Sequence, residues 1–130
     1  METGGALSCA GVDPAAHAFF AALLQRSFPK RTIVVVTDSL KTQETVQQDL
    51  ETWLSTPPLF YPAWEVLPHE DKLPPADVVS DRLQTLVTLA GTAAGPDSSS
   101  RLVVTNATAL LQKTFAPEQL RPDRAQDFQR

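Results

Sequence analysis

Apolar positions along this chain alternate between a helical and an extended period. Asp13-Pro14 pairs an N-capping acid with proline at the first helical position. Beyond it Ala15, Ala18, Phe19, Ala22 and Leu23 recur at helical spacing and predict one inward stripe on a helix that Pro29 ends. Thr32 to Val36 is a β-branched run without alternation, the pattern of a strand covered on both faces as in a parallel sheet. Thr37, Asp38 and Ser39 supply capping groups for a second helix. Val46, Leu50, Trp53 and Leu54 mark its inner face, and Gln43, Glu44, Gln47, Gln48 and Glu51 its outer one.

Pro57-Pro58 interrupts the chain before a short strand over Leu59 to Tyr61. Pro62, Pro68, Pro74 and Pro75 then exclude regular structure, while Trp64, Val66, Leu67 and Leu73 keep the segment pinned to a surface. A third helix is expected from about Asp77 to Ala90, with Val79, Leu83, Leu86 and Ala90 inward and Gly91 at its end. Residues 92–100 have the composition of a flexible loop. Leu102 to Thr105 reads as another strand, and Asn106 as the N-cap of a short helix through Gln112. Ala6 to Ala10 carries a weak signal for a strand ahead of all the others.

Alternating strands and helices of these lengths predict an α/β fold: three layers, a parallel sheet with helices on both faces and right-handed crossovers. One domain over residues 1–116 is expected, with 117–130 a polar tail that begins a following domain. The 130 residues suffice for one core and not two.

Composition narrows the function classes. A formal charge of −4 leaves Lys and Arg outnumbered by acids, which argues against a nucleic-acid clamp. Cys9 is the single cysteine, so no intrachain disulfide forms. Without basic neighbours it reads as an inert buried thiol. No apolar run reaches membrane-spanning length and no secretion signal is recognised, so a cytoplasmic location is expected.

The turn before the first helix is where a phosphate loop would sit. That chemistry needs glycines for close backbone approach, a lysine for the β- and γ-phosphates and a hydroxyl for magnesium. Ala10 to His17 offers one glycine, Gly11, beside the acid Asp13 and the donor-less Pro14. His17 and His69 lie on different elements without metal-ligand spacing, so surface or capping roles fit them better than a zinc site. Nothing resembles a nucleophile elbow. Glu65, Glu70 and Asp71 read as a solvated loop face rather than paired catalytic carboxylates. Trp64 to Pro68 has two readings, a plug that seals the end of the sheet and a recognition surface; the first is favoured because buried aromatics mostly pack.

Three stretches together resemble a known family. Tyr61 to Glu70 fits the pattern P-x-W-E-x-L-P-[YH]-[DE], Asp77 to Leu83 enters an R-L-x-x-L helix, and Val103 to Gln112 fits V-V-x-x-x-x-A-L-L-Q. With Val35-Val36-Thr37 upstream, this resembles the first, UvrB-like domain of the bacterial transcription-repair coupling factor, over about residues 6–120. The resemblance implies a RecA-like core whose phosphate loop is degenerate, with Ala10 and Ala15 in place of glycines, Ala16 of the lysine and His17 of the hydroxyl. It implies no catalysis and no cofactor in this segment, since ATP and magnesium serve a motor far downstream. Expected partners are UvrA, mainly through the domain that follows, and other domains of the same factor. RNA polymerase and double-stranded DNA are expected to be engaged by the full-length protein. Trp64, Glu65, Leu67, Pro68, Asp81 and Arg82 are the candidate interaction or structural residues, with Arg82 expected in a salt bridge to an acid of the Glu65 to Asp71 loop. The alternative reading is a nucleotide-binding, helicase-type domain of a UvrB-like repair protein.

Overall fold

The computed structural model describes residues 4–64, 74–92, 101–116 and 119–120. Four helices and three strands alternate in it: α1 (Ala16–Ser27), β1 (Ile33–Thr37), α2 (Leu40–Trp53), β2 (Leu59–Tyr61), α3 (Ala76–Thr92), β3 (Leu102–Asn106) and α4 (Ala107–Leu111). The strands form one parallel sheet in the order β1-β3-β2. β3 therefore lies in the middle, and all five of its residues are buried.

Local chemistry sets the element boundaries. Ser39 is extended, and its hydroxyl accepts the Thr42 N–H at 3.2 Å to start α2. Asn106 does the same for α4, its side-chain oxygen accepting the Ala109 N–H at 2.9 Å. At the head of α1 the Asp13 carboxylate accepts the Ala15 N–H at 2.9 Å, which fixes the turn containing Pro14.

Helices cover both faces of the sheet. On one, Ala18, Ala21 and Ala22 of α1 and Val46 and Leu50 of α2 pack on Leu102 and Val104. On the other, Tyr61, Val103 and Ala109 form a second cluster against Leu86 and Leu89 of α3. Fully burying a leucine or valine such as those of β3 contributes roughly 1.5–3 kcal/mol, so two-sided burial of β3 anchors the fold.

Several sequence expectations are revised. The inner face of α1 is its alanines, which let the helix approach α2 and the sheet closely; Phe19 and Leu23 are 49% and 47% exposed and Ala15 lies outside. Trp53 is 59% exposed, because it ends α2 past the edge of the core and meets Phe19 edge-to-face at 5.2 Å. Gln43, expected on the polar face of α2, is fully buried. The valine run of β1 is covered on one face only: Ile33 and Val35 pack against the α1/α2 cluster, while Val34 and Val36 are each 52% exposed. Ala6 to Ala10 forms no strand; this stretch is exposed, and Cys9 with it. α3 runs through Gly91, so that glycine does not end it. The expected 92–100 loop and 117–130 tail fall almost wholly outside the described residues.

Candidate functional site

The family-like stretches converge at the end of β2. Arg82, on α3, is 1% exposed and reaches back beneath the chain that leaves the strand. Its Nη1 donates to the Pro62 carbonyl at 2.6 Å and its Nη2 to the Tyr61 hydroxyl at 2.7 Å. The guanidinium carbon sits 4.2 Å from the Tyr61 ring centroid and 4.6 Å from that of Trp64, so two π faces share the cation. Gln112, just after α4, closes the knot from the other side. Its Oε1 accepts the Trp64 N–H at 2.6 Å, and its Nε2 donates to the Trp64 carbonyl at 3.2 Å. The same Oε1 lies 3.4 Å from Arg82 Nη1.

This arrangement handles a buried charge without an ion pair among the described residues. Desolvation pushes the Arg82 pKa below the ordinary arginine value, and the Tyr61 phenol opposes the shift. Among the described residues Arg82 Nε has no hydrogen-bond partner. Carbonyls, a phenol and aromatic faces surround the guanidinium, and the salt bridge expected to an acid of the 65–71 loop falls on residues outside those described. Glu65, Leu67 and Pro68, like the acids Glu70 and Asp71, lie outside the described residues. Asp81 is half-buried beside Arg82 in sequence but does not take part in the knot. Trp64 is half-buried and packs on Arg82. A cleft of about 230 Å³ opens beside it, with Leu83, Leu86 and Phe115 as apolar wall and Lys113 contributing a cation.

The second place to examine is the carboxyl end of the sheet, where open parallel α/β folds bind ligands. Here the polar groups are engaged with each other. Gln43 Nε2 donates to the Val104 carbonyl at 3.0 Å, and Gln43 Oε1 accepts from Asn106 Nδ2 at 2.7 Å. The Thr37 hydroxyl donates to the Thr105 carbonyl at 3.1 Å, and the Thr105 hydroxyl to the Tyr61 carbonyl at 2.9 Å. At the head of α1 the Asp13 carboxylate takes the Ala15 N–H, while the Ala16 and His17 N–H groups donate to the carbonyls of Asp13 and Pro14. Asp38, at the end of β1, lines the same groove as Pro14 and His17. Hydrogen bonding from Thr42 holds its carboxyl below the usual carboxylate range, so it is ionised at neutral pH. A phosphate at the head of α1 would meet the Asp13 carboxylate, and the Ala15, Ala16 and His17 N–H groups there already have acceptors.

Comparison with known proteins adds no assignment: the chain matches no family model, no curated protein and no solved structure. Among the described residues no helix is long and apolar enough to cross a membrane.

Sequence reading singled out Trp64 and Arg82, and these two do meet. It missed Gln112 and Gln43, glutamines that bind separate elements together. Gln112 closes the V-V-x-x-x-x-A-L-L-Q pattern, and a polar residue ending an apolar helix is the signal that points to it. Gln43 left no such signal, because helical periodicity puts it among the solvated residues of α2.

Proposed function

We propose that this chain is a non-catalytic, UvrB-like module with a degenerate RecA-like core. In this reading it belongs to a transcription-coupled DNA repair factor, contributes to recruiting UvrA and restrains the factor's motor through contacts between domains. The observation that carries the reading is the knot at the end of β2. The Tyr61-to-Trp64 stretch, the Arg-Leu helix and the terminal Gln112, which are the three separate stretches of the family resemblance, touch one another there through Arg82 and Gln112. The degenerate phosphate loop of this reading is supported at the head of α1, where the Asp13 carboxylate takes the Ala15 N–H that an anion could use.

Two measurements test this. Isothermal titration with ATP and magnesium is expected to give no saturable heat; micromolar binding that disappears on changing Asp13 or His17 would instead make the chain a nucleotide-binding domain. Immobilised UvrA is expected to retain the chain joined to the domain that follows it in the full-length protein. Loss of the recruitment role follows if that longer protein is not retained either.

A further inference from the structure

We infer that the outer side of α1 is a docking surface for an acidic amphipathic helix, which lays its apolar stripe on Phe19, Leu23 and Trp53 and sets its first-turn carboxylates against Arg26. Charge sets this stretch of the chain apart. Residues 14–37 contain Arg26, Lys30 and Arg31 and no acid, in a chain whose formal charge is −4. Along α1, Phe19, Leu23 and Arg26 stand at i, i+4 and i+7, so two apolar groups and a cation share one stripe. All three are exposed. The alanines of α1 do the inward packing, which leaves this stripe outside the core.

The stripe runs into a groove between the last turns of α1 and α2. This groove has a volume of about 500 Å³, with Gln25 and Arg26 contributed by α1 and Trp53, Leu54, Ser55 and Thr56 by the end of α2 and the chain beyond it. The Trp53 ring meets Phe19 edge-to-face and also lines the groove, so the apolar surface is continuous with it. Arg26 and the Ser55 and Thr56 hydroxyls make the groove a place for an acceptor. Among the described residues no acid lines it. Asp49 lies a turn before Trp53, and Glu51 accepts from Gln47 at 3.3 Å, both outside the lining.

Electrostatics identifies the occupant. Both helices end at the groove, so the partial negative charge of two C-termini accompanies the cation of Arg26. A helix running opposite to α1 satisfies both. Its partial positive N-terminus meets the two carbonyl ends, and the acids that first turns favour meet Arg26. Its apolar positions then return along Leu23 and Phe19, the helix-in-groove mode of recognition. A small free anion would meet the same negative helix ends and gain nothing from the apolar stripe. A second copy presenting this face would bring no acid to Arg26, because α1 has none. The surface belongs to the α1 face of the sheet and the Trp64 knot to the α3 face, so the inference stands apart from the function proposed above.

Fluorescence polarisation with the whole chain and a labelled synthetic helix tests the inference. The probe is a peptide of roughly 15 residues, long enough to form a helix, with leucines at helical spacing and glutamates in its first turn. Saturable binding is expected, weakened about tenfold by Arg26→Glu and lost with Phe19→Gln plus Trp53→Gln. Arg26 is exposed, so its variant keeps the fold and reads the contact alone. The same peptide with lysines in place of the glutamates should bind at least about tenfold more weakly. Equal affinity for the lysine peptide, no saturable binding, or amide shifts on titration confined to the Trp64 side would each overturn the inference. Self-association of the chain that Phe19→Gln abolishes and the peptide fails to displace would also overturn it, giving the face to a second copy.

Discussion

Arg82 carries more of the local structure than any other single side chain. A guanidinium with 1% exposure and no carboxylate among the described residues is costly to desolvate. Two short charge-assisted hydrogen bonds and two aromatic faces offset that cost. Removing the side chain leaves the Pro62 carbonyl and the Tyr61 hydroxyl without their donor and opens a cavity. Arg82→Ala is expected to destabilise the domain by roughly 2–4 kcal/mol in urea unfolding. Arg82→Lys should recover little, because an ammonium cannot serve the two acceptors with a fixed fork. Trp64→Ala combined with Arg82→Ala should cost less than the two single changes added together, with a coupling of about 0.5–2 kcal/mol from the shared cation–π contact. Strict additivity would show that the Trp64 ring is a bystander, free for partner contact alone.

At the scale of elements, the carboxyl end of the sheet is tied by side chains rather than by strand pairing alone. Gln43 links α2 to the β3 backbone and to Asn106, and Asn106 in turn starts α4. Asn106→Ala is therefore expected to cost more than the ~1 kcal/mol of an ordinary cap. It also strands the buried Gln43 oxygen, which brings the expected total to roughly 2–4 kcal/mol. Equal effects for Asn106→Ala and for Ser39→Ala, an exposed cap with no buried partner, would contradict this coupling. Sequence pattern made the Asn106 cap legible because capping is local. It did not place Gln43, whose burial follows from where β3 passes, a contact 61 residues away in the chain. The same distinction explains β1 and α1. Periodicity identified the strand and the helix, but where the helices pack decides whether a strand is covered on both faces. Local hydrophobicity ranks phenylalanine above alanine, whereas close packing of α1 on α2 selects the alanines. Of the candidate site, the aromatic and cationic members were legible as motif residues; their mutual contact required the fold.

Among the described residues, apolar side chains stay exposed both on α1 and around α4. Phe19, Phe20 and Leu23 of α1 are each close to half exposed, and Trp53 of α2 extends this apolar surface through its contact with Phe19. Val34 and Val36 are exposed on the other face of the sheet, the face of Val103. Scattered apolar residues on a surface are ordinary, but a contiguous patch marks a place of contact. α1 and α3 cover opposite faces of the sheet, so this patch and the Trp64 cleft present two separate sides to partners. A module that acts by touching several macromolecules needs such separation, and the proposed function draws on both sides. The native chain is accordingly expected to enhance the fluorescence of an apolar dye such as ANS. Phe19→Gln with Trp53→Gln should lower that signal by about half or more. Because both side chains are largely outside the core, the double change should cost only ~1–2 kcal/mol, mainly the lost ring pair. A large drop in melting temperature with dye binding unchanged would reverse the assignment, making the aromatic pair part of the packing and leaving the Trp64 side as the contact surface.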